Sequence, residues 1–299
     1  MTRTNQINDP MIVAPSPTPF NKKDEIDYAA IEYNVTKWSK TKLSGYVLGS
    51  ENGEEGFLNL EEKIKIIEKV KEVNEDKKLI IAGVDSPSIK ETLKLSDMMS
   101  KAGADLIRIR IPRNRKSVPK YFKKVLDDIQ SRVIIIHQMD PGNFDASMTK
   151  VGADPEIIGD ITNHDRVFGY IASAQMRFEA KVKEYINEKK RFWVGNSMLI
   201  YPGVFIGANG ACMMFGNIAP NICMDIIRLC MKNDYNSAKK LHDKCVYADW
   251  NILSNGAAGL KYAMDIIGYK GGLPRAPMPD LEPSEKSKIV QGLKLAKII

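Results

Sequence analysis

The sequence predicts an α/β fold, a (β/α)8 TIM barrel with a C-terminal helical extension, and three observations carry that prediction. Eight apolar, β-rich runs recur at regular spacing, amphipathic segments with helical periodicity separate them, and runs such as 133–136 are continuously apolar. Unbroken apolar runs suit parallel strands covered on both faces, and parallel strands need crossovers of the kind the amphipathic segments supply. A chain of 299 residues accommodates two domains or one large barrel, and eight strand-then-helix units decide for the barrel.

Taken in order, run 11–14 (Met-Ile-Val-Ala) precedes the helical segment 27–40, run 45–48 precedes 60–73, and run 79–82 precedes 89–102. Run 106–111 is followed by 118–129, 133–136 by 155–163, 167–171 by 175–188, and 192–194 by 199–206. The last run, 211–215, leads into a stretch that keeps a helical pattern with no further strand. The expected division is therefore 1–217 for the strands and first seven helices, and 218–299 for the eighth helix and the extension. That extension reads as about three helices, with Gly268 and 271–279 as breakers.

Composition narrows the partners. The chain carries 44 Lys plus Arg against 37 Asp plus Glu, a net charge of +7. Lysines nevertheless alternate with acids along stretches such as 61–78, the pattern of solvated helix faces rather than of a nucleic-acid surface. No apolar run approaches the roughly 18 residues of a spanning helix, and residues 1–10 lack an apolar signal core. The four cysteines, Cys212, Cys223, Cys230 and Cys245, contain no CxxC pair and read as reduced thiols. A cytoplasmic protein without membrane or nucleic-acid partner, metal or cofactor is expected.

In a barrel of this kind the chemistry sits where strands end. The most informative strand end is Gly49-Ser50-Glu51-Asn52-Gly53-Glu54, which offers N–H groups and short side-chain donors to a carboxylate, although Gly and Asn also simply make turns. Ser50, Asn52 and Gly53, with Ser173 and Asn196 from other strand ends, are the candidate substrate-binding residues. Asp85, His137 and Asp140 have the chemistry to ring a divalent metal, but residues from separate loops have no diagnostic spacing. His164 and His242 read as structural, and Met213, Met214 and Met224 as core filling.

Several segments together resemble one family, the dihydrodipicolinate synthase and N-acetylneuraminate lyase superfamily of class I aldolases and dehydratases. Residues 14–20 (Ala-Pro-Ser-Pro-Thr-Pro-Phe) resemble its first-strand signature, and 49–54 its Gly-Ser/Thr-Asn/Thr-Gly-Glu carboxylate-binding loop with one residue inserted. Residues 211–220 are similar to its eighth-strand segment, and 237–243, Lys261, Gly268 and 273–277 fall where its C-terminal helices and Pro-rich turn would lie. The resemblance implies a lysine at the end of strand six that forms an imine with a 2-oxo acid such as pyruvate. It also implies a proton-relaying tyrosine at the end of strand five and a carboxylate held by the strand-two loop.

Two of those groups are missing. Strand six reads Arg166-Val167-Phe168-Gly169-Tyr170-Ile171-Ala172-Ser173, with no lysine between Lys150 and Lys181. Aligning Gly169 puts the imine position at Ile171, and aligning Tyr170 puts it at Ala172; natural and engineered loss of the lysine both stay open. Strand five ends in His137-Gln138-Met139-Asp140-Pro141, so the tyrosine is replaced, and His137 or Gln138 is the candidate proton-transfer residue unless His137 is only a hydrogen-bonded strand end. Arg113 or Arg115 has the charge to bind an acidic substrate, or is an exposed loop arginine.

The expected function is a lyase acting on a 2-oxo acid or sugar acid, in a homo-oligomer (dimer or tetramer), lacking its imine-forming lysine. The competing expectations are a non-catalytic paralogue that binds an acidic metabolite or serves as a partner subunit, and an enzyme that works without an imine.

Overall fold

A computed structural model of the chain describes residues 9–75, 77–137, 152–173 and 175–299. Eight parallel strands close a barrel in chain order: β1 (Met11–Pro15), β2 (Gly45–Leu48), β3 (Leu79–Val84), β4 (Leu106–Arg110), β5 (Val133–His137), β6 (Val167–Ala172), β7 (Arg191–Val194) and β8 (Gly210–Cys212). Helices α1 (Tyr28–Ser39), α2 (Leu60–Asn74), α3 (Ile89–Lys101), α4 (Val118–Asp128), α5 (Pro155–Asn163), α6 (Met176–Tyr185), α7 (Ile200–Phe205) and α8 (Pro220–Met231) alternate with the strands. Three more, α9 (Tyr235–Leu253), α10 (Gly256–Ile266) and α11 (Pro283–Leu295), form the C-terminal part. The eighth strand is shorter than its apolar run, because Met214–Asn217 turns into a short 3-10 helix.

Side chains alternate across each strand, so the barrel sorts them into two cores. Val13, Val47, Ile81, Leu106, Ile134, Ile136, Ile171, Trp193 and Cys212 form a cluster drawn from strands alone, the barrel interior. The larger cluster lies between strands and helices and takes the outward residues, among them Ala14, Tyr46, Ile135, Tyr170 and Ala172. Helix starts are fixed locally: the Asp27 carboxylate accepts from the Ala30 N–H at 2.9 Å, and Asn59 and Glu62 make a reciprocal capping box on α2.

One irregularity decides the site. Val133 pairs with Val167 but Ile134 pairs with Gly169, so Phe168 is an extra residue in β6. Such a bulge re-aims every side chain beyond it. Phe168 meets the interior Trp193 edge-on at 5.7 Å, and the shifted register then pairs Ile136 with Ile171 and His137 with Ala172. Ile171 therefore faces the barrel axis, whereas Tyr170 and Ala172 face the helices.

Among the described residues no helix is long and apolar enough to cross a membrane.

Candidate active site at the barrel mouth

A cavity of about 540 Å³ opens at the ends of the strands. Ser50 and Asn52 after β2, Ser173 after β6 and Asn196 after β7 all line it, so four of the five substrate-binding candidates converge from three loops. Val47, Ile136, Cys212 and Met214 give it apolar surface, and Leu253, Asn255, Gly256 and Met278 bring the C-terminal part over it.

Gly53, the fifth candidate, supports the wall from behind. Its N–H donates to the Ser50 carbonyl at 2.8 Å and its carbonyl accepts from the Thr18 hydroxyl at 2.8 Å. A Cβ there would meet the Ser16 carbonyl at 2.9 Å, which explains the glycine.

The next residue, Glu54, sits in left-handed backbone (φ 59), a conformation costly for a non-glycine and kept only where the surroundings enforce it. Here they do: its buried carboxylate pairs with the buried Lys261 and accepts from the Arg275 N–H at 2.8 Å. Burial pushes the Lys261 amine down to about 8 even with Glu54 beside it. The Arg275 guanidinium in turn pairs with Glu62 at 2.7 Å. This chain of charges ties α10 and the Pro-rich turn to the strand-two loop.

Glu55 points the other way, into a charged cluster that was not foreseen from the sequence. Arg108 and Arg110 occupy alternate positions of β4, and the Nη2 of Arg108 lies 2.6 Å from Asp85, 3.4 Å from Glu55 and 3.3 Å from the Gly49 carbonyl. Arg110 reaches the same two carboxylates at 3.1 and 3.0 Å. The Arg108 guanidinium crosses β3 at Gly83, where a Cβ would stand 2.5 Å from its Nη2 and 2.0 Å from the Gly49 carbonyl oxygen. Burial, then the charge of Asp85, pushes the Glu55 carboxyl up to about 7, against the lowering effect of both arginines. Burial opposes the Arg108 charge, but Asp85 and Glu55 more than compensate and raise its pKa. The available signal was the pair of arginines in the otherwise apolar run Leu106–Arg110, since strand charges in a barrel have only its interior or its packed outer face to occupy.

Strand β6 has an apolar inner face where family resemblance calls for chemistry. Ile171 stands on the inner face and is fully buried. None of the residues lining the cavity is a lysine, among the described residues. Ala172 is turned away from the axis and packs in the outer core, which removes it as an imine position. His137 is also turned outward: its ring lies 5.3 Å from that of Phe178 on α6 and against Gly152, where a Cβ would approach Nε2 to 2.1 Å. It is 3% exposed and does not reach the cavity wall, because on β5 the inward position is Ile136. Gln138 and Asp140 lie outside the described residues. Asp85 is held by arginines and His137 faces the helices, so the conceivable metal set does not assemble. Arg115, the loop arginine considered for substrate, pairs instead with Asp154. All four cysteines are buried free thiols; burial lifts Cys212 to about 12, far from reactivity.

The profile of the family described as "Dihydrodipicolinate synthetase family" matches residues 10–296. The chain is 23% identical over 288 residues to the 4-hydroxy-tetrahydrodipicolinate synthase of Archaeoglobus fulgidus, covering 94% of this chain and 96% of that protein. To the enzyme of the same name from Methanocaldococcus jannaschii it is 25% identical over 282 residues, covering 92% and 94%. Among solved structures, dihydrodipicolinate synthase from Aquifex aeolicus superposes with a TM-score of 0.86 at 20% identity, covering 97% of this chain and 98% of that one.

Proposed function

The chain belongs to the dihydrodipicolinate synthetase family, and on that premise we propose that it is a lyase acting on a 2-oxo acid or sugar acid without an imine. The observation that carries this reading is the meeting of Ser50, Asn52, Ser173 and Asn196 in one cavity whose walls hold no lysine among the described residues. Ser50, Asn52 and the N–H groups of their loop bind the substrate carboxylate. Ser173 and Asn196 orient the rest of the molecule from the far side. With an isoleucine at the inner strand-six position, electrons released when a bond next to the carbonyl breaks collect on the carbonyl oxygen as an enolate, stabilised by charge and hydrogen bonds. His137 takes no part in this reading, because its ring faces the helices. A cytoplasmic homo-oligomer, dimer or tetramer, goes with the same proposal.

The test uses pyruvate and a panel of longer 2-oxo acids. Incubation with borohydride followed by mass measurement is expected to give no adduct, while exchange of the pyruvate methyl protons in deuterated water, followed by NMR, is expected to proceed. A stoichiometric adduct would show that another lysine serves and would end the imine-free reading. Binding without exchange across the whole panel would favour the second reading, a non-catalytic paralogue that retains an acidic metabolite, which Ile171 itself supports.

A further inference from the structure

An imine does two things for a small 2-oxo acid: it withdraws electrons, and it anchors the molecule covalently. A cavity without the amine needs another anchor for a ligand of few atoms. The charged wall supplies a group with the right placement. Arg108 lines the cavity directly, its side chain is only 3% exposed, and its Nε has no hydrogen-bond partner among the described residues. Its Nη2 touches the Gly49 carbonyl at 3.3 Å, so the guanidinium lies immediately beneath the loop that carries Ser50 and Asn52.

We propose that Arg108 is the anchoring cation of the carboxylate site: the acid group of the substrate sits between the Ser50–Asn52 loop and the Arg108 guanidinium. This assignment rests on the reading of the cavity as a site for 2-oxo acids, and adds to it the residue that replaces covalent attachment. A buried guanidinium suits the task because it stays charged, and its planar fork matches a carboxylate. Gly83 makes room for it, and Asp85 holds it in place from the neighbouring strand end.

The surroundings predict how the site responds to pH. The titratable or charged groups facing Arg108 are Glu55 after β2, Asp85 after β3, Arg110 on β4 and Cys212 on β8, and Glu51 lines the same cavity. With Glu55 protonated the cluster of two arginines and two carboxyls carries a net positive charge, and with Glu55 ionised it is neutral. The Glu55 carboxyl titrates near 7 and the buried Cys212 thiol stays neutral, so an incoming carboxylate favours protonated Glu55. Affinity is therefore flat below about pH 6 and falls above about pH 7 by up to about tenfold per unit, with proton uptake on binding.

Isothermal titration calorimetry tests this with four probes: pyruvate, 2-oxoglutarate, and the non-oxo acids propanoate and glutarate. Arg108→Met is expected to weaken carboxylate binding about ten- to hundredfold, the range for losing a charge-assisted hydrogen bond. Arg108→Lys, with the charge but without the fork, should weaken it less. Arg132→Met, before β5 at the other end of the barrel, should leave it unchanged. Should Arg108→Met fail to fold, Arg108→Lys decides, and wild-type affinity in that variant would overturn the assignment. Unchanged affinity in a folded Arg108→Met protein, or no binding of any of the four acids to the wild type, would each overturn the assignment. Arg108-dependent binding without preference for the oxo acids over the non-oxo acids would leave the anchor standing and remove the 2-oxo acid reading alone.

Discussion

The barrel mouth has two unlike sides, one charged and one apolar. Around β2 to β4 the inward and strand-end positions hold Glu55, Asp85, Arg108 and Arg110, of which Arg108 lines the cavity, while on β5 and β6 the inward strand positions hold Ile136, in the cavity wall, and the fully buried Ile171. Buried charges persist only as a satisfied set, because removing one member leaves the others desolvated and uncompensated. The charged wall is accordingly assembled from three segments that hold one another, and a glycine keeps the path of Arg108 open. The apolar wall needs only shape and volume, and its residues are interchangeable within those limits. A change of side chain at Ile171 is therefore cheap for the fold within those limits, whereas loss of Arg108 or Asp85 is not. Adjacent residues show the same contrast: Glu54 turns away from the cavity to fix the C-terminal part, and Glu55 turns toward the arginines.

The largest effect should come from closing the channel through which Arg108 reaches Gly49. Gly83→Ala places a methyl 2.0 Å from a backbone oxygen, so the strand ends must move apart. A loss of about 3 kcal/mol is expected, and at about 2–4 °C per kcal/mol for a domain of this size the melting temperature should fall by about 6–12 °C. A melting temperature within about 2 °C of wild type would show that the charged wall is looser than its contacts indicate.

Converting the apolar wall is the next test. Ile171→Lys puts an amine on the inner face and is expected to gain a borohydride-trapped pyruvate adduct, whereas Ala172→Lys is expected to give none. Ala172 is buried in the packed outer layer, so that variant should also lose about 1–3 kcal/mol through overpacking, measured by urea denaturation. An adduct on the Ala172 variant alone would reverse the assignment of inner and outer faces in β6.

The charged wall should also betray itself in the pH dependence of stability. The Glu55 carboxyl holds its proton to about pH 7 in the folded protein but only to the ordinary 4.5 when unfolded. Between those values the folded state binds more protons, so this group lowers stability as pH rises from about 4.5 to 7. Glu55→Gln removes that contribution, and its melting temperature should decline less over that interval than that of the wild type. Parallel curves for the two proteins would mean that Glu55 titrates like an exposed carboxylate. The smallest effect belongs to the exposed cap of α2, where Asn59→Ala should cost about 1 kcal/mol and leave carboxylate binding intact.

Most of the frame was legible in the sequence, because strand and helix periodicities report directly which residues must be covered. The fifth helical segment, 155–163, and the helix Pro155–Asn163 coincide, and the Gly-bracketed loop after the second run does line the cavity. The site was legible only in part. Arg108 and Arg110 stand in plain view in an apolar run, but the pattern does not reveal that Glu55 and Asp85 meet them across two strand ends. His137 was misleading for a related reason: it ends the right strand, and its face depends on a parity that composition does not carry.

The sequence by itself determined the barrel, the eight-unit order, the polar loop after β2 and the lack of a lysine anywhere on β6, since each follows from residue type and local spacing. Only the tertiary structure decided which of Ile171 and Ala172 faces the axis. The extra residue at Phe168 shifts β6 against β5 by one position, and with a side-chain period of two a single shift exchanges inside for outside. The partners of each buried charge were decided in the same way, by strands that are distant along the chain and adjacent only in the closed barrel.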